Sequence, residues 1–336
     1  MSNSIPDTMK AIVVGDDDAK TLAWQEGQPT PAPGAAQVLV RAGATAINRA
    51  DLLQRIGAYP VPAGASQILG LEVAGRVVAV GEGVTSWAPG DRVAALVEGG
   101  GYGEYVVCNA DVMLRVPDEM PYSDAAALPE ALYTAYLNLF MEAALQPGER
   151  ALVHAGASGV GTAAIQICRA LGCPVYATAS GSKLERLREL GAELAIDRRE
   201  EDFVERVRAA SEGRGVDAIL CCVGADYFAR NLQALARGGR LVIIGLLGGA
   251  KSEIPIQRLL INCQRVIGSV LRSRSVAEKA EITRQLAERV WPHVIAGTVR
   301  PVIDRVLPIA DANEAHAAMR RNENVGKIVL EINAEA

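Results

Sequence analysis

The stretch Ala151-Leu152-Val153-His154-Ala155-Gly156-Ala157-Ser158-Gly159-Val160-Gly161-Thr162-Ala163 runs from an apolar strand through a glycine turn into a helix. In that setting the glycines carry chemistry. They let backbone N–H groups face a pyrophosphate, and the start of the helix adds favourable partial positive charge. On the spacing Gly-x-Gly-x-x-Gly, Gly156 and Gly161 hold the outer places and Ser158 stands where the middle glycine would be. Ser158 must therefore either push a dinucleotide outward or offer it a hydroxyl. Gly159 and Val160 complete the turn into the helix. His154, pointing from the strand toward the turn, reads as a buried, hydrogen-bonded core histidine.

Downstream of this turn, strands and helices alternate. Strands are expected over Ala151 to Ala155, Val175 to Ala179, Leu194 to Asp197, Ala218 to Val223 and Arg240 to Ile244, with Val266 to Val270 a sixth. Helices are expected over Val160 to Leu171, Lys183 to Leu190, Glu201 to Ala210 and Phe228 to Ala236, and a long one over Ala277 to Ile295. Such alternation gives parallel strands joined by helical crossovers, a doubly wound sheet. A site that prefers NAD has an acid at the end of the second strand. Here that strand ends Ala179-Ser180-Gly181-Ser182-Lys183 with none, while Ser180, Lys183 and, after the third strand, Arg198 suit a 2′-phosphate. The cofactor expected is NADPH; the competing reading makes Lys183 and Arg198 ordinary solvated surface charges. Gly245 and Leu246 follow the fifth strand at the carboxyl edge, where doubly wound sheets bind ligands.

Upstream the writing differs. Ala11 to Val14, Val38 to Ala42, Glu72 to Val80, Arg92 to Leu96 and Tyr102 to Val107 are short β-rich runs punctuated by Gly and Pro, the pattern of a barrel-like β domain. At the other end, Val302 to Val306, a helix over Ala312 to Arg321 and a strand over Lys327 to Ile332 are expected to return to that domain. The division is thus residues 1–127 with 297–336 for the β domain and 128–296 for the cofactor domain. The fold class is α/β, a β barrel plus a doubly wound parallel sheet.

Composition agrees. The 336 residues, half of them apolar, are enough for two cores. With 34 basic against 39 acidic residues, net −5, and no basic block, nucleic acid is an unlikely partner. No apolar run reaches the roughly 20 residues that span a bilayer. The start from Met1 to Lys10 is polar with no apolar signal core, so a soluble, cytoplasmic protein is expected. Six scattered cysteines with no metal-type spacing read as buried free thiols.

Five segments carry a resemblance: Asn48-Arg49-Ala50-Asp51-Leu52, Gly70-Leu71-Glu72-Val73-Ala74-Gly75, Pro89-Gly90-Asp91-Arg92-Val93, Pro129-Glu130-Ala131-Leu132-Tyr133-Thr134-Ala135, and the glycine turn itself. With them the chain resembles the medium-chain dehydrogenase/reductase superfamily, and in particular its zinc-independent quinone oxidoreductase branch. Leu271-Arg272-Ser273-Arg274 and Asn324-Val325-Gly326-Lys327-Ile328-Val329 look most similar to that branch's NADPH-dependent, tumour-suppressor-inducible subgroup. The resemblance implies a GroES-like β domain formed by both chain ends, a Rossmann cofactor domain, a cleft where nicotinamide meets substrate, and a homodimer, or a dimer of dimers, paired through sheet edges, either Arg240 to Ile244 or Val266 to Val270. It also implies that Thr134, Asn324 and the backbone of Val270 and Leu271 contact the cofactor. Zinc enzymes of the superfamily carry a Cys where this chain has Asn48 and a His where it has Leu71, and add a four-cysteine lobe absent here. With three histidines in the chain and no ligand cluster, no metal is expected.

Hydride transfer to a quinone suits such a site, because reduction restores aromaticity and positioning does most of the work. The candidate catalytic residues are Asn48, Asp51 and Tyr59. Tyr59 either donates its hydroxyl to the developing quinol oxygen or forms an aromatic wall. Asn48 either bonds substrate or nicotinamide ribose or is a structural amide. Asp51, three residues on, orients neighbours rather than acting as an acid. Two competing functions use the same residues: reduction of an activated C=C bond in an enone or enoyl thioester, and non-catalytic NADPH binding.

Overall fold

The computed structural model describes residues 5–334, so the expected polar lead-in lies outside the described residues for Met1 to Ser4. The chain divides into two compact units. One takes the chain up to Glu130, Arg272–Ala287 and the chain from Pro301 onward; the other takes Ala131–Leu271 and Glu288–Arg300.

The first unit holds β1 (Thr8–Val14), β2 (Leu22–Pro29), β3 (Gln37–Ala46), β4 (Glu72–Val80), β5 (Arg92–Leu96), β6 (Tyr105–Asn109) and β7 (Met113–Arg115). The second holds β8 (Ala151–Val153), β9 (Val175–Ala179), β10 (Leu194–Asp197), β11 (Val216–Cys221), β12 (Leu235–Ile243) and β13 (Arg265–Gly268). The chain then gives the first unit β14 (Ile303–Pro308) and β15 (Lys327–Glu331).

In the first unit β1 and β2 form a hairpin, and a seven-stranded sheet runs β14-β15-β3-β4-β5-β7 with β6 also on β3. The C-terminal strand β15 is antiparallel to β3, with Val329 opposite Ala46 and Leu330 opposite Thr45. Strand β3 is the hub because its alternate residues are buried on both sides: Val38 and Val40 pack with Val73, Val93 and Val106, while Ala44 and Ala46 face Tyr122, Ala125 and Val329. β2 was not expected from the sequence, since Trp24-Gln25-Glu26-Gly27-Gln28 leaves half its residues in water.

The second unit is the doubly wound sheet, with order β10-β9-β8-β11-β12-β13 and every neighbour parallel. The order steps outward from β8 in both directions, so the carboxyl ends of β8 and β11 mark the switch point where such sheets take ligands. Two sequence expectations need correction. The helix expected over Ala277 to Ile295 is two helices, Val276–Arg289 and Trp291–Ile295, because Pro292 cannot donate a backbone hydrogen bond and sits best at a helix start. And β12 lies between β11 and β13, so Arg240 to Ile244 is not a sheet edge; of the two expected edges only the one containing Val266 is outermost.

Candidate functional site

In the second unit the glycine turn sits at the carboxyl end of β8 and opens the 12-residue helix Gly159–Ala170. Its glycines are fixed by space. A Cβ on Gly161 would stand 2.4 Å from the Ala155 carbonyl oxygen, and one on Gly156 would stand 2.9 Å from both the Ala177 Cβ and the Leu187 side chain. The Ser158 Oγ accepts a hydrogen bond from the Gly161 N–H at 3.0 Å, so the serine in the middle place is the helix N-cap. The N–H groups of Gly159 and Val160 lie in the first turn, with no carbonyl four residues back inside the helix. This cradle of close backbone and outward N–H groups fits a dinucleotide pyrophosphate.

At the carboxyl end of β9, Ser180 leads into a short 3₁₀ turn, Gly181–Lys183. Arg198 is brought beside it, its backbone N–H donating to the Ala179 carbonyl at 2.9 Å. The sequence reading missed an acid here: a Cβ on Gly181 would lie 2.3 Å from Asp197 Oδ2, so that carboxylate stands against the Ser180 turn. Its signal was its place at the end of the third strand. Gly245 and the exposed Leu246 follow β12, the exposed Val270 and buried Leu271 follow β13, and all of them leave the same edge of the parallel sheet. Thr134 is buried in the helix Pro129–Tyr136, its carbonyl accepting from Asn138 Nδ2 at 2.7 Å. His154 is buried, bonded to Thr178 Oγ1 at 3.0 Å and Asn231 Oδ1 at 2.7 Å, and burial pushes it down to about 4.

In the first unit Asn48 and Asp51 come together at the start of the helix Arg49–Arg55, and around two charges that the sequence reading did not single out. The Lys327 Nζ donates to Glu72 Oε1 at 2.7 Å, Asn48 Oδ1 at 2.6 Å and the Ile47 carbonyl at 3.0 Å. Asn48 Nδ2 donates to the same Glu72 Oε1 at 2.8 Å, and the Glu130 N–H donates to Oε2 at 2.9 Å. Both charged side chains are buried, Glu72 wholly. Asn48 thus commits both ends of its amide inside the cluster. Asp51 Oδ2 accepts from the Asn48 N–H at 2.7 Å and Oδ1 from the Gly70 N–H at 3.1 Å. Burial raises Asp51 to about 6 against the opposing pull of those bonds and of Lys327. Beyond it the buried Tyr102 hydroxyl lies 3.1 Å from His316 Nε2. Burial, then Asp51 and Glu72, push that phenol well above its ordinary value.

Tyr59 is half-buried on the loop after this helix, with the Arg272 guanidinium carbon 5.2 Å from its ring centroid. Burial raises its phenol, helped by Glu130 and opposed by Arg272. Asn324 turns inward to the Gly326 carbonyl at 2.6 Å. Lys327, Glu72 and Arg272 had a sequence signal, a lone charge at the end of an apolar strand or run, but nothing in the spacing says which charge meets which.

Among the described residues no group of three or more His, Cys, Asp or Glu stands placed to hold a metal ion. The donors at Asn48 and Glu72 do not suit zinc either: Leu71 is apolar and buried, and the Glu72 carboxylate is filled by an ammonium, an amide and a backbone N–H. No helix among the described residues is long and apolar enough to cross a membrane.

Comparison with known proteins agrees with both units. Residues 34–118 match the family model of the alcohol dehydrogenase GroES-like domain, and residues 159–288 that of zinc-binding dehydrogenase. The chain is 35% identical over 321 residues to the synaptic vesicle membrane protein VAT-1 homolog of Rattus norvegicus, covering 89% of this chain and 78% of that protein. It is also 35% identical over 318 residues to polyketide synthase GfsB of Streptomyces halstedii, covering 94% of this chain but spanning only 5% of that far longer protein. It spans 15% of a mycocerosic acid synthase-like polyketide synthase of Mycobacterium tuberculosis. Among solved structures, a mycobacterial quinone oxidoreductase shares 31% identity at a TM-score of 0.84, covering 96% of this chain and all of that one. A mycobacterial protein complexed with NADPH has the same TM-score at 30% identity. The CurK enoyl reductase also superposes at 0.84, with 30% identity over 97% of this chain and 99% of that one. With its GroES-like and Rossmann units and a near-full-length relative, the chain belongs to the medium-chain dehydrogenase/reductase superfamily of nicotinamide-dependent oxidoreductases.

Proposed function

We propose that this protein is a cytoplasmic, zinc-independent NADPH:quinone oxidoreductase. The observation that carries the reading is the Lys327–Glu72–Asn48 cluster. An ammonium and an amide occupy the Glu72 carboxylate, so it is not free to face a metal, which supports an acceptor that needs no Lewis acid. Quinones qualify, since their reduction gains aromaticity.

When bound, the reduced nicotinamide supplies a hydride. The chain's residues bind and orient. The Gly156 to Gly161 turn and the helix start at Gly159 hold the pyrophosphate, and Ser158 keeps that helix end rigid by capping it. Ser180, Lys183 and Arg198 hold the 2′-phosphate. Asp197 beside Gly181 argues the other way, toward a ribose hydroxyl, but its carboxylate already accepts from the Arg199 N–H at 2.9 Å and two cations stand nearby in the chain. Tyr59, Asn48 and Asp51 belong to the acceptor side, with Asn48 and Asp51 acting through the cluster they pin. A homodimer is part of the reading, paired through β13, the outer strand with Val266 exposed.

A second reading, reduction of an activated C=C bond, is favoured by the superposition on CurK enoyl reductase. Oxidation of NADPH and NADH in parallel against an ortho-quinone, a para-quinone and a simple enone separates them. Quinone turnover with NADPH preferred supports the proposal, turnover of the enone alone supports the second reading, and tight binding without turnover leaves a non-catalytic NADPH-binding protein. Chelators should leave the rate unchanged.

A further inference from the structure

The helix Gly159–Ala170 carries the glycine turn at its start, and at its far end a cleft of about 410 Å³ opens, lined by Arg169, Ala170, His293, Gly297 and Thr298. All of these belong to the second unit. The length of that helix puts roughly 16 Å between the cleft and the turn, so the two are separate places on the fold. The volume is that of a small-molecule site. Its charge is positive. The Arg169 stem passes over Gly191, where a Cβ would stand 2.6 Å from its Cδ, and its guanidinium makes no hydrogen bond or ion pair among the described residues. The Arg300 guanidinium lies against Gly297, its Nη2 3.2 Å from where a Cβ would stand, and it spends only Nε, on the Gly297 carbonyl. Elsewhere on the surface arginines take neighbouring carboxylates, as Arg186 takes Glu189 and Arg284 takes Glu281. Among the described residues no acidic side chain lines this cleft. Its wall is also held in place. Arg300 is tied to the helix through the buried Gln166, whose Nε2 donates to the Arg300 carbonyl at 2.9 Å and whose Oε1 accepts from the Arg300 N–H at 2.9 Å. His293 Nδ1 lies 3.2 Å from Thr298 Oγ1, and that hydroxyl donates to the His293 carbonyl at 3.1 Å, so Nδ1 carries a proton and Nε2 is left open.

We propose that this cleft binds a small phosphate monoester through its phosphate group. Two guanidinium groups with no carboxylate call for an anion, and the planar fork of each matches phosphate oxygens. The number of partners selects phosphate over carboxylate. Three terminal oxygens meet Arg169, Arg300 and His293 Nε2 together, whereas a carboxylate leaves one of the three unmet. The imidazole suits a monoester in either protonation state. Such an ester ionises its second proton near pH 6, so it either gives Nε2 a P–O–H proton or accepts one from the charged ring. The carboxyl end of the helix works against an anion, but its partial charge of about half a unit is outweighed by two full positive charges. The volume beyond the phosphate holds the rest of the molecule. Bound at the opposite end of the helix from the pyrophosphate cradle, this ligand leaves the cofactor turn free.

Proton NMR of the histidine rings tests this, since His154 and His316 are buried and His293 alone of the three borders the cleft. The protein is titrated with ribose 5-phosphate and, at equal ionic strength, with acetate. The His293 resonance, identified by its loss in His293→Gln, should shift saturably with ribose 5-phosphate and stay in place with acetate, while the His154 and His316 resonances report an intact fold in each unit. Arg169→Gln and Arg300→Gln should each weaken the binding by about 10-fold or more. Arg169 is exposed and its guanidinium unbonded, so its replacement leaves folding alone and keeps the test decisive even where Arg300→Gln loosens the Gly297 turn. A shift that rises without saturating, an equal response to acetate, or an Arg169→Gln protein that binds as wild type does overturns the site. Quinone turnover plays no part in the measurement, so a protein that reduces no quinone but shows the saturable shift keeps the site and loses only the quinone reading.

Discussion

Replacing Lys327 with Met removes a buried ammonium and leaves its partner in place. The methionine fills much of the same volume but donates nothing, so Glu72 Oε1, Asn48 Oδ1 and the Ile47 carbonyl all lose a hydrogen bond of 3.0 Å or less. The main term is the stranded carboxylate. Glu72 is wholly buried, its side chain and that of Lys327 being 0% and 5% exposed, so water cannot replace the cation. Breaking a buried pair on one side costs about 3–5 kcal/mol, whereas removing both charges together is often near neutral. Glu72→Gln with Lys327→Met should therefore be more stable than Lys327→Met alone, by about 2 kcal/mol or more.

Urea unfolding followed by tryptophan fluorescence reads this directly if Trp291 is first changed to Phe, since Trp24 and Trp87 then report on the unit that holds Lys327. Because the pair is buried, the deficit should persist at high salt. A loss under about 1 kcal/mol, or single and double losses that add within about 0.5 kcal/mol, would refute the view that this ion pair organises the cluster.

Three other outcomes are expected. Lys183→Ala and Arg198→Ala should each weaken NADPH by about 1–3 kcal/mol and leave NADH nearly unchanged, measured by cofactor titration; equal effects would remove that side chain from the phosphate. His154 and His316, lowered by burial to about 4 and about 3, stay neutral in the fold. Their contribution is complete above the ordinary value of 6.5 and is lost as pH falls through those values, about 3 kcal/mol for His154. Asp51, raised to about 6, works in the opposite sense, adding stability below about 4 and losing it as pH rises through 6; His154→Gln should accordingly flatten the acid limb of a melting-temperature profile, and an unchanged limb would contradict the assignment. Val266→Asp, on the outer edge of β13, should convert a homodimer into monomers by light scattering, while Val242→Ala, buried inside the sheet, should weaken folding instead.

Local rules carried much of the fold. The second unit was legible because its inner strands are buried on both faces and read as mainly apolar runs, as in Val175–Ala179 and Val216–Cys221, with helices of clear period between them. The turn at Gly156 to Gly161 was legible for the same reason, its chemistry being written in a few consecutive residues. What was hidden depends on distance along the chain. Lys327 meets Glu72 across 255 residues and Arg272 meets Gln54 across 218, and neither pairing leaves a spacing to detect. A single lysine opening an apolar strand looks like any strand end that reaches for water. Only when β15 is laid against β3 does that ammonium fall beside Ile47, Asn48 and Glu72, and there the desolvation of two charges forces them to find each other. Asp51 follows the same logic. Its place three residues after Asn48 marked it as an orienting group, but its raised affinity for a proton comes from burial that β4 and the Gly70 turn impose, which no reading of Asn48 to Leu52 alone contains.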